Sequence, residues 1–232
     1  MKNIYISMVQ LPTVINKYVA FITGFSFTHF SISFDKNLNK LYAFQIKNKK
    51  IPFVGGLVEE TVGSYFQGKS NISLKQVIFK IPVTDEEYLK VFNFVEDIKN
   101  DKEYMFNYVC AVSMFLNGGT KSYKSYHCVE FISEILEIIN IKIPKKTYKM
   151  HPKDLYLVLK PFIIKKRIIY SKNYITSANN SFYYNINLSV AVKKSIYSIK
   201  ESLCRAFLQR TSKKFNYKNI NFYDKDIKKP AS

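Results

Sequence analysis

Three cysteines and three histidines are the side chains best suited to covalent chemistry in this chain. A thiolate attacks carbonyl carbon when an imidazole beside it takes the thiol proton and returns it to the leaving group. Cys128 has the surroundings such a nucleophile needs. Phe131, Ile132, Ile135, Leu136 and Ile139 follow it at helical spacing, so a helix is expected to open near Ser125 to Cys128 and to stop before Pro144. Unpaired N–H groups in the first turn of that helix favour a thiolate and can hold the oxyanion that its attack creates. His29 lies in the segment 27–34, where polar and apolar residues alternate. Period two predicts a half-buried strand, with His29, Ser31 and Ser33 facing a cleft and Phe30, Ile32 and Phe34 on the other side.

The remaining candidates have plainer readings. Cys110 lies inside an apolar helical pattern and reads as core, while Cys204 falls in the C-terminal part of the chain. His127 reads as a helix cap or edge residue, and His151 before Pro152 as a loop residue. The spacing of these residues matches no zinc pattern, and no CxxC pair occurs. Gly55-Gly56 is a turn signal rather than a phosphate-binding loop. No metal and no cofactor are expected. Taken alone, the residue types leave several cysteine–histidine pairings open.

The elements that must position these residues can be read along the chain. Residues 40–46 form a second strand, and Asp35-Lys36-Asn37 is the turn of a hairpin with the His29 strand. Residues 74–83 form another strand. Thr84-Asp85-Glu86-Glu87 has the S/T-x-x-E form of a capping box, so a helix is expected over 85–99 with Tyr88, Phe92, Val95 and Ile98 on its apolar stripe. A helix over 104–116, a short helix over 153–159 and a strand over 167–175 complete a main domain at 1–175. Residues 176–232 read as a basic, partly helical C-terminal extension. There Asn179-Asn180-Ser181 marks a break, 188–209 an amphipathic helix, and 211–232 a polar, lysine-rich end.

Composition sets the remaining bounds. Hydrophobic residues make up 47% of the chain and aromatic residues 16%, enough for a sizeable core and too many for global disorder. Lys and Arg number 36 against 17 Asp and Glu, a formal charge of +19. That excess suits a solvated lysine surface, or attraction to anionic lipid or nucleic acid. Three scattered cysteines make no disulfide framework and fit a reducing compartment. The apolar run 4–15 is interrupted by Gln10 and Pro12, with Asn16 and Lys17 behind it, and no cleavage site or bilayer-length segment follows. A soluble, cytoplasmic protein without a transmembrane segment is expected.

Three motifs in order carry a resemblance. Thr28-His29-Phe30-Ser31-Ile32-Ser33-Phe34-Asp35, Leu41-Tyr42-Ala43-Phe44 and Tyr126-His127-Cys128-Val129-Glu130-Phe131-Ile132 resemble the permuted branch of the NlpC/P60 superfamily. That branch includes bacterial permuted papain-like amidases and is related to lecithin:retinol acyltransferase-like proteins. Pro52-Phe53-Val54-Gly55-Gly56 and His151-Pro152-Lys153-Asp154-Leu155 are similar to segments of its bacterial members. The resemblance covers roughly residues 20–175 and does not reach the extension.

It implies an α+β, circularly permuted papain-like fold, with an antiparallel sheet packed against helices and the histidine strand ahead of the cysteine helix. It also implies a cysteine hydrolase or acyltransferase acting on an amide or ester through a thioester, with Cys128 as nucleophile and His29 as base. A peptide-like or lipid substrate would follow; peripheral contact with anionic lipid is expected from the excess of cations instead. The family's third polar residue, which orients the imidazole, falls at Ala43, whose side chain cannot hydrogen-bond; Gln45 shares its strand face and is the expected substitute. The same loss motivates an alternative, an inactive binding module of the same fold. A third reading, nucleic-acid binding through the basic extension, has charge in its favour but no recognised motif.

Overall fold

The computed structural model describes residues 1–11, 20–21, 24–47, 53–66, 69–174 and 187–208, except for the side chains of 114–117. The fold is α+β. Its six-stranded sheet has the order β4-β3-β2-β1-β5-β8. These strands are β1 (Lys2–Val9), β2 (His29–Ser33), β3 (Leu41–Ile46), β4 (Gly55–Glu60), β5 (Ser73–Val83) and β8 (Ile163–Tyr170). The helices are α1 (Asp85–Asn100), α2 (Tyr108–Asn117), α3 (Cys128–Ile138), α4 (Pro152–Leu159) and α5 (Leu188–Leu208). A short parallel ribbon joins β6 (Met105–Phe106) to β7 (Ser125–Tyr126).

The chain divides into two units. The first takes in Met1–Ala43, Glu59–Asp97 and Cys128–Asn179; the second takes in Phe44–Val58, Ile98–His127 and Asn180–Ser232.

In the first unit, β1 is a central strand, antiparallel to β2 on one side and to β5 on the other. The N-terminal apolar run gives no strand signal in the sequence because Ile4, Tyr5, Ile6, Met8 and Val9 are buried on both faces, which removes the alternation. Register places Ile6 opposite both Ile32 and Phe79, and Met8 opposite Phe30, on one face. Helices cover that face. Phe34 packs edge-on against Tyr88 and Phe92 of α1, Phe94 stacks on Phe131 of α3, and Phe79 meets Tyr156 of α4. Each large side chain buried there contributes about 1.5–3 kcal/mol. The opposite face, with Tyr5, Val9, Leu74 and Ile78, packs under the 3-10 turn Val62–Phe66 through Val62, Tyr65 and Phe66.

The expected hairpin is present, and Asp35 pins its turn by accepting the N–H groups of Asn37 and Asn39. The capping box is present too: Thr84 Oγ1 accepts the Glu87 N–H at 3.1 Å, and Glu87 Oε2 accepts the Thr84 N–H at 2.8 Å. Four expectations change. All five residues of β2 are buried, because neighbouring strands flank it and both faces are covered, so it is not half-buried. The helix expected over 104–116 starts at Tyr108, after β6, because Asn107 caps it by accepting the Cys110 N–H at 2.9 Å. The strand expected over 167–175 runs from Ile163 to Tyr170, pairing with β5, and residue 175 lies outside the described residues.

The fourth change is at Gly55-Gly56, which opens β4 instead of marking only a turn. A Cβ on Gly55 would lie 2.7 Å from the Gln45 carbonyl oxygen and 2.8 Å from the Tyr108 hydroxyl. Close approach of neighbours explains the glycine there.

In the second unit, α5 is held by Arg205. Its Nε donates to Glu201 at 2.8 Å, and its Nη1 donates to the carbonyl oxygens of Glu103 at 2.6 Å and Lys124 at 3.1 Å. Residue 209, the expected last residue of this helix, and the segments 176–186 and 211–232 lie outside the described residues.

Candidate active site

Cys128 and His29 meet in the first unit. Phe131, Ile132, Ile135 and Leu136 are wholly buried, and they fasten α3 along β2 so that its first residue lies where β2 begins. That first residue is Cys128, with its thiol half-buried and Sγ 3.6 Å from the Thr28 carbonyl oxygen. His29 is the next residue after Thr28 and the first of β2, only 4% exposed. Its Nε2 lies 2.8 Å from Oε1 of Glu60, and the Cys128 side chain is near enough to raise the pKa of the ring. With Nε2 engaged by Glu60, Nδ1 is the nitrogen left for sulfur.

Glu60 is the last residue of β4 and 2% exposed. Sequence reasoning missed it, and assigned the orienting role to Gln45. Gln45 is half-buried on β3, Ala43 is wholly buried there, and it is Glu60 that accepts the hydrogen bond from Nε2. The physical reason is charge. A carboxylate accepts the N–H and also offsets the burial of a cation, which a carboxamide cannot do. The one available signal was the acidic end of Leu57-Val58-Glu59-Glu60, hidden by the glycine pair before it.

The electrostatics follow from this packing. Burial alone would lower the His29 pKa, but the Glu60 charge opposes it, helped by hydrogen bonds to Cys128 and Glu60 and by charge on the sulfur. The imidazole is raised from 6.5 to about 10. It is therefore an imidazolium at neutral pH.

A buried polar chain backs the histidine. The Tyr65 ring stands edge-on to the His29 ring, with centroids 5.8 Å apart. The Tyr65 hydroxyl donates to Ser7 Oγ at 3.0 Å and pairs with Ser31 Oγ at 2.7 Å. Gln76 Nε2 donates to the same Ser7 oxygen, and Arg167 Nε donates to Gln76 Oε1. Burial, reinforced by the Glu60 charge, pushes the Tyr65 hydroxyl pKa well up, so it stays a neutral donor. The polar face of β2 thus meets a satisfied network instead of an open cleft. The buried hydroxyl of Thr28, whose carbonyl oxygen faces the sulfur, has no hydrogen-bond partner among the described residues.

The other cysteines and histidines have other settings. Cys110 is buried on α2 and Cys204 is half-buried on α5, both as free thiols. His127 is buried just ahead of Cys128, and His151 caps α4 in a box with Asp154.

Chemically, the arrangement is a half-buried thiol at a helix start, a buried imidazolium near it, and a buried carboxylate behind that. No family model, no curated protein and no solved structure matches the chain. Among the described residues, no helix is long and apolar enough to cross a membrane.

Proposed function

We propose that this protein is a cysteine hydrolase or acyltransferase of the permuted papain-like kind, acting on an amide or ester. One observation carries the reading: the buried Glu60 carboxylate holds His29 Nε2, and the half-buried Cys128 at the start of α3 lies against the same imidazole. In the proposed cycle, Cys128 Sγ attacks the substrate carbonyl carbon as thiolate. The first N–H groups of α3 hold the oxyanion. His29, protonated at rest, gives its proton to the leaving amine or alcohol, and a thioester remains on Cys128. Water or an acceptor hydroxyl or amine, deprotonated by the neutral His29, then releases the acyl group. Glu60 keeps the ring in one orientation and stabilises its cationic form throughout.

A peptide-like amide or a lipid ester fits this chemistry, and the free thiols suit a reducing compartment such as the cytoplasm. The test is the rate of iodoacetamide alkylation at neutral pH, resolved by cysteine. Cys128 should react faster than Cys110 and Cys204, and its modification should vanish in Cys128→Ser and slow in His29→Ala. If Cys128 reacts no faster than the other two and ignores His29→Ala, the proposal fails and an inactive binding module takes its place.

A further inference from the structure

Helix α5 is turned inside out. Its buried residues are Ala191, Ser198, Glu201, Ser202, Arg205 and Ala206, which are small, polar or charged. Its large apolar residues point to solvent: Leu188 is 78% exposed, Ile196 61% and Phe207 75%, with Val192, Ile199 and Leu203 also exposed. At about 100° per residue these six positions fall on one stripe, roughly opposite Arg205, and at 1.5 Å per residue the stripe is about 30 Å long. A water-facing helix of a folded protein ordinarily shows the reverse pattern. Orientation here is fixed from within. The Arg205 guanidinium is held by Glu201 and by the carbonyl oxygens of Glu103 and Lys124, so rotating the helix to bury the stripe would strand a buried charge.

We infer that the outward stripe of α5 is a membrane-docking surface that lies in the plane of an anionic lipid interface. Charge selects this occupant. Lys193 and Lys200 are exposed and border the stripe along one side at about 120–140° around the helix from Leu188, where they would meet lipid headgroups as the apolar residues enter the acyl boundary. The chain carries +19 overall, so a second copy is repelled while an anionic bilayer attracts it. The stripe is a continuous ridge, which suits a planar interface. Too many charges lie on α5 for it to cross the bilayer, so the helix lies along the surface.

Docking involves neither Cys128 nor His29, so its failure and the failure of the thiol reading are separate results. The test is cosedimentation of the full chain with vesicles of phosphatidylcholine alone and of phosphatidylcholine mixed with phosphatidylserine. Binding should be strong to the mixed vesicles, weak to the neutral ones and reduced by salt. The triple variant Val192→Ser, Ile196→Ser, Leu203→Ser should bind mixed vesicles about tenfold or more weakly. Lys193→Glu with Lys200→Glu should weaken binding to mixed vesicles about tenfold and leave the weak binding to neutral vesicles unchanged. All five positions are exposed, so both variants should melt at the wild-type temperature.

Wild-type binding by the triple variant overturns the proposal. So does absence of vesicle binding with stripe-dependent dimerisation in sedimentation velocity, or with stripe-dependent binding of polyglutamate, which would assign the surface to a second copy or to an acidic protein.

Discussion

Replacing Glu60 with glutamine keeps a hydrogen-bonding side chain against His29 Nε2 but removes the charge. In the native fold the His29 pKa is raised from 6.5 to about 10, so the site favours the imidazolium by about 5 kcal/mol at 1.36 kcal/mol per pH unit. Burial is the largest influence on this histidine and acts downwards; the Glu60 charge is the largest that acts upwards. Glu60→Gln therefore removes the main counterweight to burial, and the His29 pKa should fall well below its wild-type value of about 10, towards 6.5, which would be a loss of about a thousandfold in proton affinity. Titration of the histidine ring resonances by NMR reads this directly, with His29→Asn identifying the signal among three histidines.

Stability should follow the same linkage. A pKa raised in the folded state adds stability that is complete below the unfolded value of 6.5 and is lost as pH rises through about 10. Urea unfolding of the wild type should thus weaken across that window by up to about 5 kcal/mol, a slope that Glu60→Gln lacks. A His29 signal titrating near 6.5 in the wild type, or at the same pH in both proteins, would refute the reasoning.

Three further outcomes follow from the packing. Tyr65→Phe removes the hydroxyl shared by Ser7 and Ser31 in a buried chain, and should cost about 1–3 kcal/mol in urea unfolding while leaving the far-UV spectrum unchanged. Gly55→Ala brings a methyl group against the Gln45 carbonyl and the Tyr108 hydroxyl, and should lower stability by about 1–3 kcal/mol, read as a fall in Tm. Arg205→Met removes the buried guanidinium that pairs with the Glu201 carboxylate and should cost about 3–5 kcal/mol, with α5 becoming the first site of limited proteolysis.

The setting of Cys128 and His29 was legible because each lies on an element with a local signal. The apolar stripe behind Cys128 predicts where α3 opens, and the alternation around His29 predicts β2. Their meeting was not legible from spacing, since 98 residues of chain lie between His29 and Cys128 and only the tertiary fold brings them together. Glu60 escaped for a similar reason: it is 31 residues from His29, at the end of a strand whose glycines read as a turn. Strand β1 escaped because burial on both faces erases the period-two pattern. For α5 the sequence predicts a helix and its apolar stripe, but not that the stripe faces outward. Carbonyl oxygens of Glu103 and Lys124, distant in sequence, make that choice by holding Arg205 inward.

The central claim is that Cys128 takes up an acyl group with the help of His29. Intact-protein mass spectrometry after brief exposure to an activated ester, p-nitrophenyl butyrate, tests it most directly. The account predicts one butyryl group per chain, mapped to Cys128, released by neutral hydroxylamine as a thioester is, absent in Cys128→Ser and formed more slowly in His29→Ala. Acyl groups scattered over lysines with Cys128 unmodified, or a Cys128 adduct that forms equally fast without His29, would contradict it.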